Sequence, residues 1–317
     1  MKKYLLFSIL LLLLGCQPQV SDKQITVCSF NIKFVGLYKK KDNNALAKLV
    51  GKYDMVVVQE LVSPPDNGQY CDGTSYREDP EADAFFDAMS AQGFKFSLSC
   101  EDTGRGEKIH KAGSSTEWSV VFYKPGKLKI ANDLPHGFLS DDRSAHPVYP
   151  RVPHAHGFRT VDGKMDFVVI NVHLSPGKNK KTARRAELLS IAQWIDLNDA
   201  QEQDFYIVGD MNIESAAELQ AVTPRGFVSL NDECRKTNTA AKSSKPYDHV
   251  MYRPARLDEI DEKFDFQVIN LIDQMRDTWR DSSAYPGDPY KGSLFVQYYS
   301  DHHPVLFRLK IPSQDDD

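Results

Sequence analysis

The chain has 317 residues, of which 41% are hydrophobic and 26% are charged, and its formal net charge is −5. These values are ordinary for a soluble globular enzyme with a sizeable core, and they exclude extensive disorder outside the ends. The acidic balance also excludes a protein that coats nucleic acid non-specifically, because such proteins bind the phosphate backbone through an excess of Lys and Arg.

The N-terminus has the organisation of an export signal. Lys2 and Lys3 precede an apolar run, residues 4–14, that is too short to span a bilayer as a helix. The run ends in Leu-Leu-Gly-Cys, which resembles the lipobox of bacterial lipoproteins. This resemblance implies removal of residues 1–15, lipidation of Cys16, a tether over residues 16–24 and a membrane anchor in the bacterial cell envelope. Gln17 favours the outer membrane, with the protein facing the periplasm or the exterior; an ordinary secretory signal is the alternative.

Four further cysteines would then lie in an oxidising compartment, namely Cys28, Cys71, Cys100 and Cys234. Four cysteines allow three pairings, and we favour Cys71 with Cys100, because they flank a polar, loop-rich segment. Cys28 falls in an apolar run and is expected to be a small core residue. The sequence has no Cys-x-x-Cys or Cys/His spacing typical of structural zinc.

The rest of the chain mixes strands and helices without regular alternation. Apolar and β-branched runs predict strands at residues 25–31, 54–60, 118–123, 166–173, 204–208, 247–252 and 305–310. Apolar residues at helical spacing predict helices at residues 43–50, 82–89 and 182–197. Residues 136–156, with four histidines and several prolines, are predicted as a loop. The mixture indicates one α/β domain over residues 25–310, with sheets packed together and helices outside, followed by an acidic tail, residues 311–317.

Polar and ionisable residues recur where predicted strands end, which is where rigid scaffolds commonly hold active sites. The set is Asn31, Glu60, Glu117, Arg151, His173, Asp210, Asn212, Asp248, Asp301 and His302. Its carboxylate and amide oxygens suit Mg²⁺ or Mn²⁺, with Ca²⁺ as a further option. The histidines can exchange protons near neutral pH, and Arg151 offers a planar fork for a phosphate oxygen. Together these groups suit in-line attack of water on a phosphodiester.

Short segments that contain these residues resemble motifs of the endonuclease/exonuclease/phosphatase superfamily, and in the same order. They are SFNI at 29–32, VQE at 58–60, GDMN at 209–212, YDHV at 247–250 and SDHHPV at 300–305. Three more segments resemble DNase I within that superfamily: EWSVVFYKP at 117–125, RVP at 151–153 and VHLSPG at 172–177. The resemblance covers residues 25–310 and implies a four-layer α/β sandwich of two packed mixed β-sheets flanked by helices.

The resemblance also implies roles for the site residues. The implied metal ligands are Asn31, Glu60, Asp210, Asn212 and Asp301. The implied phosphate contacts are Arg151 and Asn212. The implied catalytic residues are His173 paired with Glu117, His302 paired with Asp248, and Asp210. Which histidine acts as base and which as acid stays open.

Three basic clusters flank these motifs and are expected to surround the mouth of the active site. They are Lys39–Lys41; Arg105, Lys108 and Lys111; and Lys178, Lys180, Lys181, Arg184 and Arg185. Solvated surface charge is the alternative explanation. Basic clusters around a cleft on an acidic protein favour a polyanion, which makes DNA a better candidate than sphingomyelin.

The sequence therefore predicts a monomeric, divalent-metal-dependent phosphodiester hydrolase, a DNase I-like endonuclease acting on DNA outside the cytoplasm. One alternative is a phospholipase C or sphingomyelinase-type phosphodiesterase, or a phosphomonoesterase, on the same fold. Exposed hydrophobic hairpins would favour a lipid substrate, and the aromatic segment at residues 288–299 keeps that alternative open. A non-catalytic binding lipoprotein is less favoured, because both histidines and the full carboxylate set are present. The preference for DNA or RNA, and for endo or exo cleavage, stays open.

Overall fold

A computed structural model describes residues 23–70, 72–111, 116–143, 148–255 and 259–315. The predicted export signal and the predicted lipidation site, Cys16, lie outside these residues, so the membrane anchor stays a prediction. Cys71 also lies outside them, so its pairing with Cys100 stays a prediction. Within the described part of the chain, every helix is too short or too polar to cross a membrane.

Fifteen strands and six α-helices form in these residues. In chain order the strands are β1 (Gln24–Val35), β2 (Met55–Leu61), β3 (Gly68–Gln69), β4 (Ser75–Tyr76), β5 (Lys95–Asp102), β6 (Trp118–Tyr123), β7 (Leu128–Ile130), β8 (Gly137–Phe138), β9 (His154–Thr160), β10 (Asp166–His173), β11 (Phe205–Asp210), β12 (Val228–Ser229), β13 (Asp248–Tyr252), β14 (Gln267–Val268) and β15 (Val305–Lys310). The helices are α1 (Asn43–Val50), α2 (Pro80–Ala91), α3 (Lys181–Asn198), α4 (Ala216–Val222), α5 (Leu271–Gln274) and α6 (Gly292–Tyr298). Two 3₁₀ turns are Gly106–Lys108 and Arg276–Thr278.

The strands form two mixed sheets. The first sheet has the strand order β14-β15-β1-β2-β6-β5, and the second has the order β12-β13-β11-β10-β9-β7, with β8 also paired to β9. In each sheet the two central strands are parallel, β1 with β2 and β10 with β11, whereas their outer neighbours are antiparallel. β3 and β4 form a separate small hairpin.

Three apolar cores hold four layers together. One core lies between the two sheets and includes Val57 of β2 and Val208 of β11. A second packs α1, α2, α5 and α6 on the outer face of the first sheet, and a third packs α3 and α4 on the second sheet. The predicted four-layer sandwich is therefore confirmed. Alternate residues of the central strands face the two cores, which explains why β2 is buried throughout and apolar along most of its length.

Most of the predicted elements are present. The bounds of α1, β6, β10 and β15 are those that the sequence indicates, and Cys28 is fully buried in β1 as expected. The predicted loop at residues 136–156 is partly wrong, because His154 and His156 begin strand β9. His156 is buried between hydroxyl groups, 2.9 Å from both Ser97 Oγ and Ser119 Oγ. A buried polar residue whose hydrogen bonds are all made inside the core interrupts the apolar pattern by which a strand is recognised in the sequence.

The parallel strand pairs bring their carboxyl ends to one edge of the sandwich. There the amide of Gln59 in β2 donates to Asn171 Oδ1 of β10 over 2.9 Å, and the Asn171 amide donates back to Val58 O over 2.9 Å. These buried bonds tie the two sheets together directly below the predicted site residues. The residues that follow Val58 and Asn171 are therefore held at a fixed separation.

Candidate active site

Oxygen ligands from both sheets meet at this edge. Asn31, in β1, donates from Nδ2 to Glu60 Oε1 over 2.9 Å and to Asp210 Oδ2 over 3.0 Å. All three residues are at most 4% exposed. Residues separated by up to 179 positions in the chain are thus brought into direct contact. The structure assembles these three predicted ligands as one cluster.

Two of the predicted ligands have an unusual backbone conformation that orients their side chains. Glu60 has φ 64° and Asn212 has φ 53°, which are unusual values for residues other than Gly. At Glu60 the pairing of β2 with β6 shifts register, so that the side chain leaves the strand pattern at this point. Gly209 is required before Asp210, because at its φ of 144° a Cβ atom would lie 2.1 Å from Val172 O. This close approach explains why the GDMN segment starts with Gly.

Asp301 joins the cluster from the segment before β15. Ser300 Oγ donates to Asn31 O over 2.6 Å and accepts from His302 N over 3.1 Å, which fixes the Ser-Asp-His segment against β1. Lys33 Nζ lies 3.3 Å from Asp301 Oδ2 and 3.6 Å from Glu60 Oε1. Burial lowers the pKa of Lys33, but the two carboxylates outweigh burial and hold it above its ordinary value.

The cluster fits a hard divalent cation. Buried carboxylate oxygens of Glu60 (Oε2), Asp248 (Oδ1) and Asp301 (Oδ1) have no hydrogen-bond partner among the described residues. Leaving a buried anionic oxygen without a partner is costly, and a cation would remove that cost. Ligand atoms of Glu60, His173 and Asp210 lie within 4.8 Å of one another, as do those of Asp210, Asp248 and His302. Carboxylate oxygens are the most numerous ligand atoms in these groups, which is what Mg²⁺, Mn²⁺ or Ca²⁺ prefers.

The first predicted histidine–carboxylate pair is formed. His173 Nδ1 lies 3.0 Å from Glu117 Oε2, and the same oxygen accepts from Glu60 N over 3.0 Å. Burial and Arg151 lower the pKa of His173, but Glu117 and Asp210 more than offset them and raise it above its ordinary value. Burial raises the pKa of Glu117, but His173 and Arg151 outweigh burial and hold it low. Both groups therefore favour their charged forms.

Arg151 lies beside this pair. Its Nε donates to His173 O over 3.0 Å and its Nη2 to Leu174 O over 3.2 Å. Asn212 Nδ2 also donates to Leu174 O, over 3.1 Å. The two predicted phosphate contacts therefore converge on the backbone just after His173, and their role toward phosphate stays a prediction.

The second predicted pair is formed on the opposite side of Asp210. His302 Nδ1 lies 2.8 Å from Asp248 Oδ2, and Asp248 N donates to Thr237 Oγ1 over 3.0 Å. Burial alone would lower the pKa of His302, but Asp248 and Asp210 raise it to about 10. The Nε2 atoms of His173 and His302 each lie 3.5 Å from the same atom, Asp210 Oδ2. The two imidazoles thus flank one carboxylate.

Two members of the basic clusters do not surround the mouth, contrary to expectation. Arg184 is fully buried: its Nε donates to Glu218 Oε1 over 2.8 Å, and its Nη1 donates to Ser175 O and Gly177 O over 2.8 and 2.9 Å. Lys41 is 8% exposed and donates to Ile32 O over 2.7 Å, Val296 O over 3.3 Å and Tyr299 O. Burial lowers the pKa of Lys41 to about 7. Each cation donates to several backbone carbonyl groups next to the site and so braces this backbone.

The other cluster members remain at the surface. Lys39, Lys40, Lys108, Lys111, Lys178, Lys180, Lys181 and Arg185 are exposed, and Arg105 is half-buried. Local sequence does not separate these residues from Arg184 and Lys41, because burial of a cation depends on partners that are distant in the chain.

Sequence reasoning missed three contributors to the site: Lys33, Ser300 and the Gln59–Asn171 bridge. Ser300 and Gln59 lie inside recognised motifs, so a signal was present for them. Lys33 follows the SFNI segment by one residue, and only its side-chain contacts to Glu60 and Asp301 mark it as part of the site.

Comparison with known proteins supports the fold. Neither a protein-family model nor a curated protein matches the sequence. Among solved structures, an endonuclease/exonuclease/phosphatase family protein from Bacteroides thetaiotaomicron is similar with a TM-score of 0.54 and 15% identity, covering 90% of this chain and 97% of that one. The chain thus has the fold of that superfamily, as the motifs imply.

Two similar solved structures belong to proteins with different chemistry. Danio rerio TDP2 complexed with single-strand DNA product has a TM-score of 0.56 at 15% identity, covering 91% of this chain and 99% of that one. A mannosyl-6-phosphatase of B. thetaiotaomicron has a TM-score of 0.55 at 15% identity, covering 90% and 99%. At these identities the similarity establishes the fold alone.

Proposed function

We propose that this chain is a divalent-metal-dependent phosphodiester hydrolase that cleaves DNA outside the cytoplasm. Two histidines carry the proposal, because each is held by its own carboxylate and both flank Asp210 at 3.5 Å. Hydrolysis of a phosphodiester requires a proton to leave the attacking water and another to reach the leaving oxygen. Two oriented imidazoles at one carboxylate cluster suit these two transfers.

The other residues supply binding and charge. Asn31, Glu60, Asp210 and Asp301 would hold Mg²⁺ or Mn²⁺, with Ca²⁺ as a further option. Such an ion supplies Lewis acidity and offsets negative charge on the reacting phosphate. Arg151, which donates to the backbone oxygen of His173, would add a hydrogen-bond donor for a phosphate oxygen.

DNA is supported as the substrate by surface charge and by the motifs. Exposed Lys39 and Lys40 line a groove next to Asp301 on an otherwise acidic chain, and three segments resemble DNase I. A protein of the same fold has been seen with single-strand DNA product. Secretion and lipidation at Cys16 would place the activity in the cell envelope, where the protein would degrade DNA arriving from outside as a monomer anchored to the membrane.

Plasmid nicking tests the proposal. The protein without residues 1–16 is incubated with supercoiled plasmid and Mg²⁺ plus Ca²⁺, beside an EDTA control and the His302→Ala variant. We expect nicked and linear products from the parent protein, and their loss in both controls. Folded protein that leaves the plasmid intact with Mg²⁺ and with Mn²⁺ would contradict the proposal.

A phosphomonoesterase is the second candidate, because a mannosyl-6-phosphatase has the same fold. A lipid phosphodiesterase is less supported. The aromatic segment at residues 288–299 contains helix α6, and its Phe295 and Tyr299 are fully buried in the core rather than displayed on a hairpin. Release of inorganic phosphate from sugar phosphates, compared with plasmid nicking, distinguishes the monoesterase from the nuclease.

A further inference from the structure

A groove of about 510 Å³ adjoins the cluster of carboxylates. It is lined by residues 37–40 on the chain between β1 and α1, and by Ser293, Val296 and Gln297 of α6. Lys33 and Asp301 line the groove and also belong to the site, so the groove borders the carboxylate cluster. A substrate whose scissile phosphate lies at the carboxylate cluster can therefore extend into this flank groove. Its volume falls within the range of small-molecule sites and suits a group of nucleotide size.

The charge of the flank groove is opposite to that of the chain. Lys33, Lys39 and Lys40 line it, and Asp301 is the one acidic residue among the described residues that do so. Lys39 forms an ion pair with Asp79 at 3.0 Å, whereas Lys40 is exposed. A local excess of lysine on a protein of net charge −5 indicates an anionic ligand.

Apolar and aromatic groups lie among these lysines. Leu37, which lines the groove, is 46% exposed and presents apolar surface there. The ring of Tyr38 is held edge-to-face against Phe34 with centroids 5.4 Å apart, and Lys41 Nζ lies 5.5 Å from its centroid. A fixed ring and an exposed aliphatic surface between cations suit the bases and phosphates of a single strand.

We propose that the flank groove binds the nucleotide unit next to the scissile bond, with base and sugar against Leu37 and Tyr38 and the next phosphate at Lys40. This inference rests on the proposed function, and it specifies a polymeric nucleic-acid strand as the substrate. Simple diesters and phosphomonoesters, which lack a flanking phosphate, would leave the groove empty and would react with a lower kcat/KM.

Matched substitutions separate the groove from the chemistry. Lys40→Glu and Leu37→Ser alter the groove, and their controls are Lys164→Glu and Leu197→Ser, which change exposed residues at the turn before β10 and on α3. The kcat/KM of each variant is measured for a short single-stranded oligonucleotide and for bis-(p-nitrophenyl) phosphate. We expect Lys40→Glu to lower the ratio of kcat/KM for the oligonucleotide to kcat/KM for the simple diester about five-fold or more. The kcat/KM for the oligonucleotide should also depend less on salt concentration, whereas the controls keep the parent ratio.

Binding gives a readout that does not depend on cleavage. Fluorescence anisotropy with a labelled single-stranded oligonucleotide is measured in Mg²⁺ for the His302→Ala protein, alone and combined with Lys40→Glu or Lys164→Glu. If Lys40→Glu weakens oligonucleotide binding of the His302→Ala protein and Lys164→Glu does not, the proposed binding in the flank groove is supported. Equal affinities of the two combined variants, or an unchanged kcat/KM ratio, would overturn it. Groove-dependent binding by a protein that cleaves neither substrate would overturn the proposed function while the groove stands.

Discussion

The two histidine–carboxylate pairs use the same atoms but have different surroundings. His173 and His302 each direct Nδ1 to a carboxylate and Nε2 to Asp210 Oδ2. Arg151 lies beside the His173 pair, and its charge opposes protonation of His173. No cation is among the main groups that set the pKa of His302, which Asp248 and Asp210 raise to about 10 against the effect of burial. The difference favours His173 as the proton acceptor and His302 as the donor, because an acceptor must first lose its own proton.

The two sides are also braced differently. The loop after His173 is held by Arg184, which is charge-compensated by buried Glu218. The segment before His302 is held by Lys41, which donates to backbone carbonyl groups at the end of α6 and in β1. An ion pair braces one side and a lone ammonium the other. The site is therefore sensitive to the loss of either cation, but for different physical reasons.

The largest expected effect is on turnover when either histidine is removed. His173→Ala and His302→Ala should each lower kcat on bis-(p-nitrophenyl) phosphate by about 10²–10⁴-fold, since each removes one proton transfer. The double variant should lose little more than either single variant, because groups that act as a unit are not additive. His136→Ala, an exposed histidine, is the control. A loss confined to one histidine would show that only one pair takes part in the reaction.

The braces should differ in what they cost when lost. Arg184→Met leaves Glu218 buried without its cation and should lower the free energy of unfolding by about 3–5 kcal/mol. Lys41→Met leaves backbone carbonyl groups without a donor but breaks no ion pair like that of Arg184 with Glu218. We therefore expect it to lower the free energy of unfolding by less, about 1–3 kcal/mol. Urea unfolding measures both, with the exposed neighbours Arg185→Met and Lys48→Met as controls. An equal loss for the two buried cations would contradict the comparison.

The fold was predictable where the pattern of side chains was regular. The helix at residues 43–50 and the strands at 118–123, 166–173 and 305–310 have apolar residues at the spacing of their elements, and the structure has the same bounds. Strand β9 was missed because His154 and His156 are buried in it, where His156 bonds to two neighbouring hydroxyl groups and also lies 3.2 Å from His154 Nδ1. Pairing of that kind depends on strands β5 and β6, which the local sequence of β9 does not reveal.

The site was predictable as a set of residues, whereas its supports were not. Asn31, Glu60, Asp210 and His302 stand in short ordered motifs, and the structure brings them together. Lys41 and Arg184 stand in runs of positive charge that resemble solvated surface. Their burial is decided by acceptors such as Tyr299 O and Glu218, which lie 258 and 34 residues away in the chain. Local sequence carries the chemistry of a residue, but the number of partners it meets is a property of the whole fold.

The smallest expected effect is a shift in pH dependence, and it addresses the assignment of acid and base directly. The charge of Arg151 lowers the pKa of His173, so Arg151→Met should raise that pKa. If His173 must be neutral to accept a proton, the acidic limb of the kcat/KM profile then moves to higher pH, by up to about one unit. The control is Arg159→Met, because Arg159 of strand β9 pairs with Asp133, over 2.9 Å, and with Asp166. An acidic limb that stays in place while KM rises would make Arg151 a phosphate contact only, and would remove the reason to distinguish the two histidines.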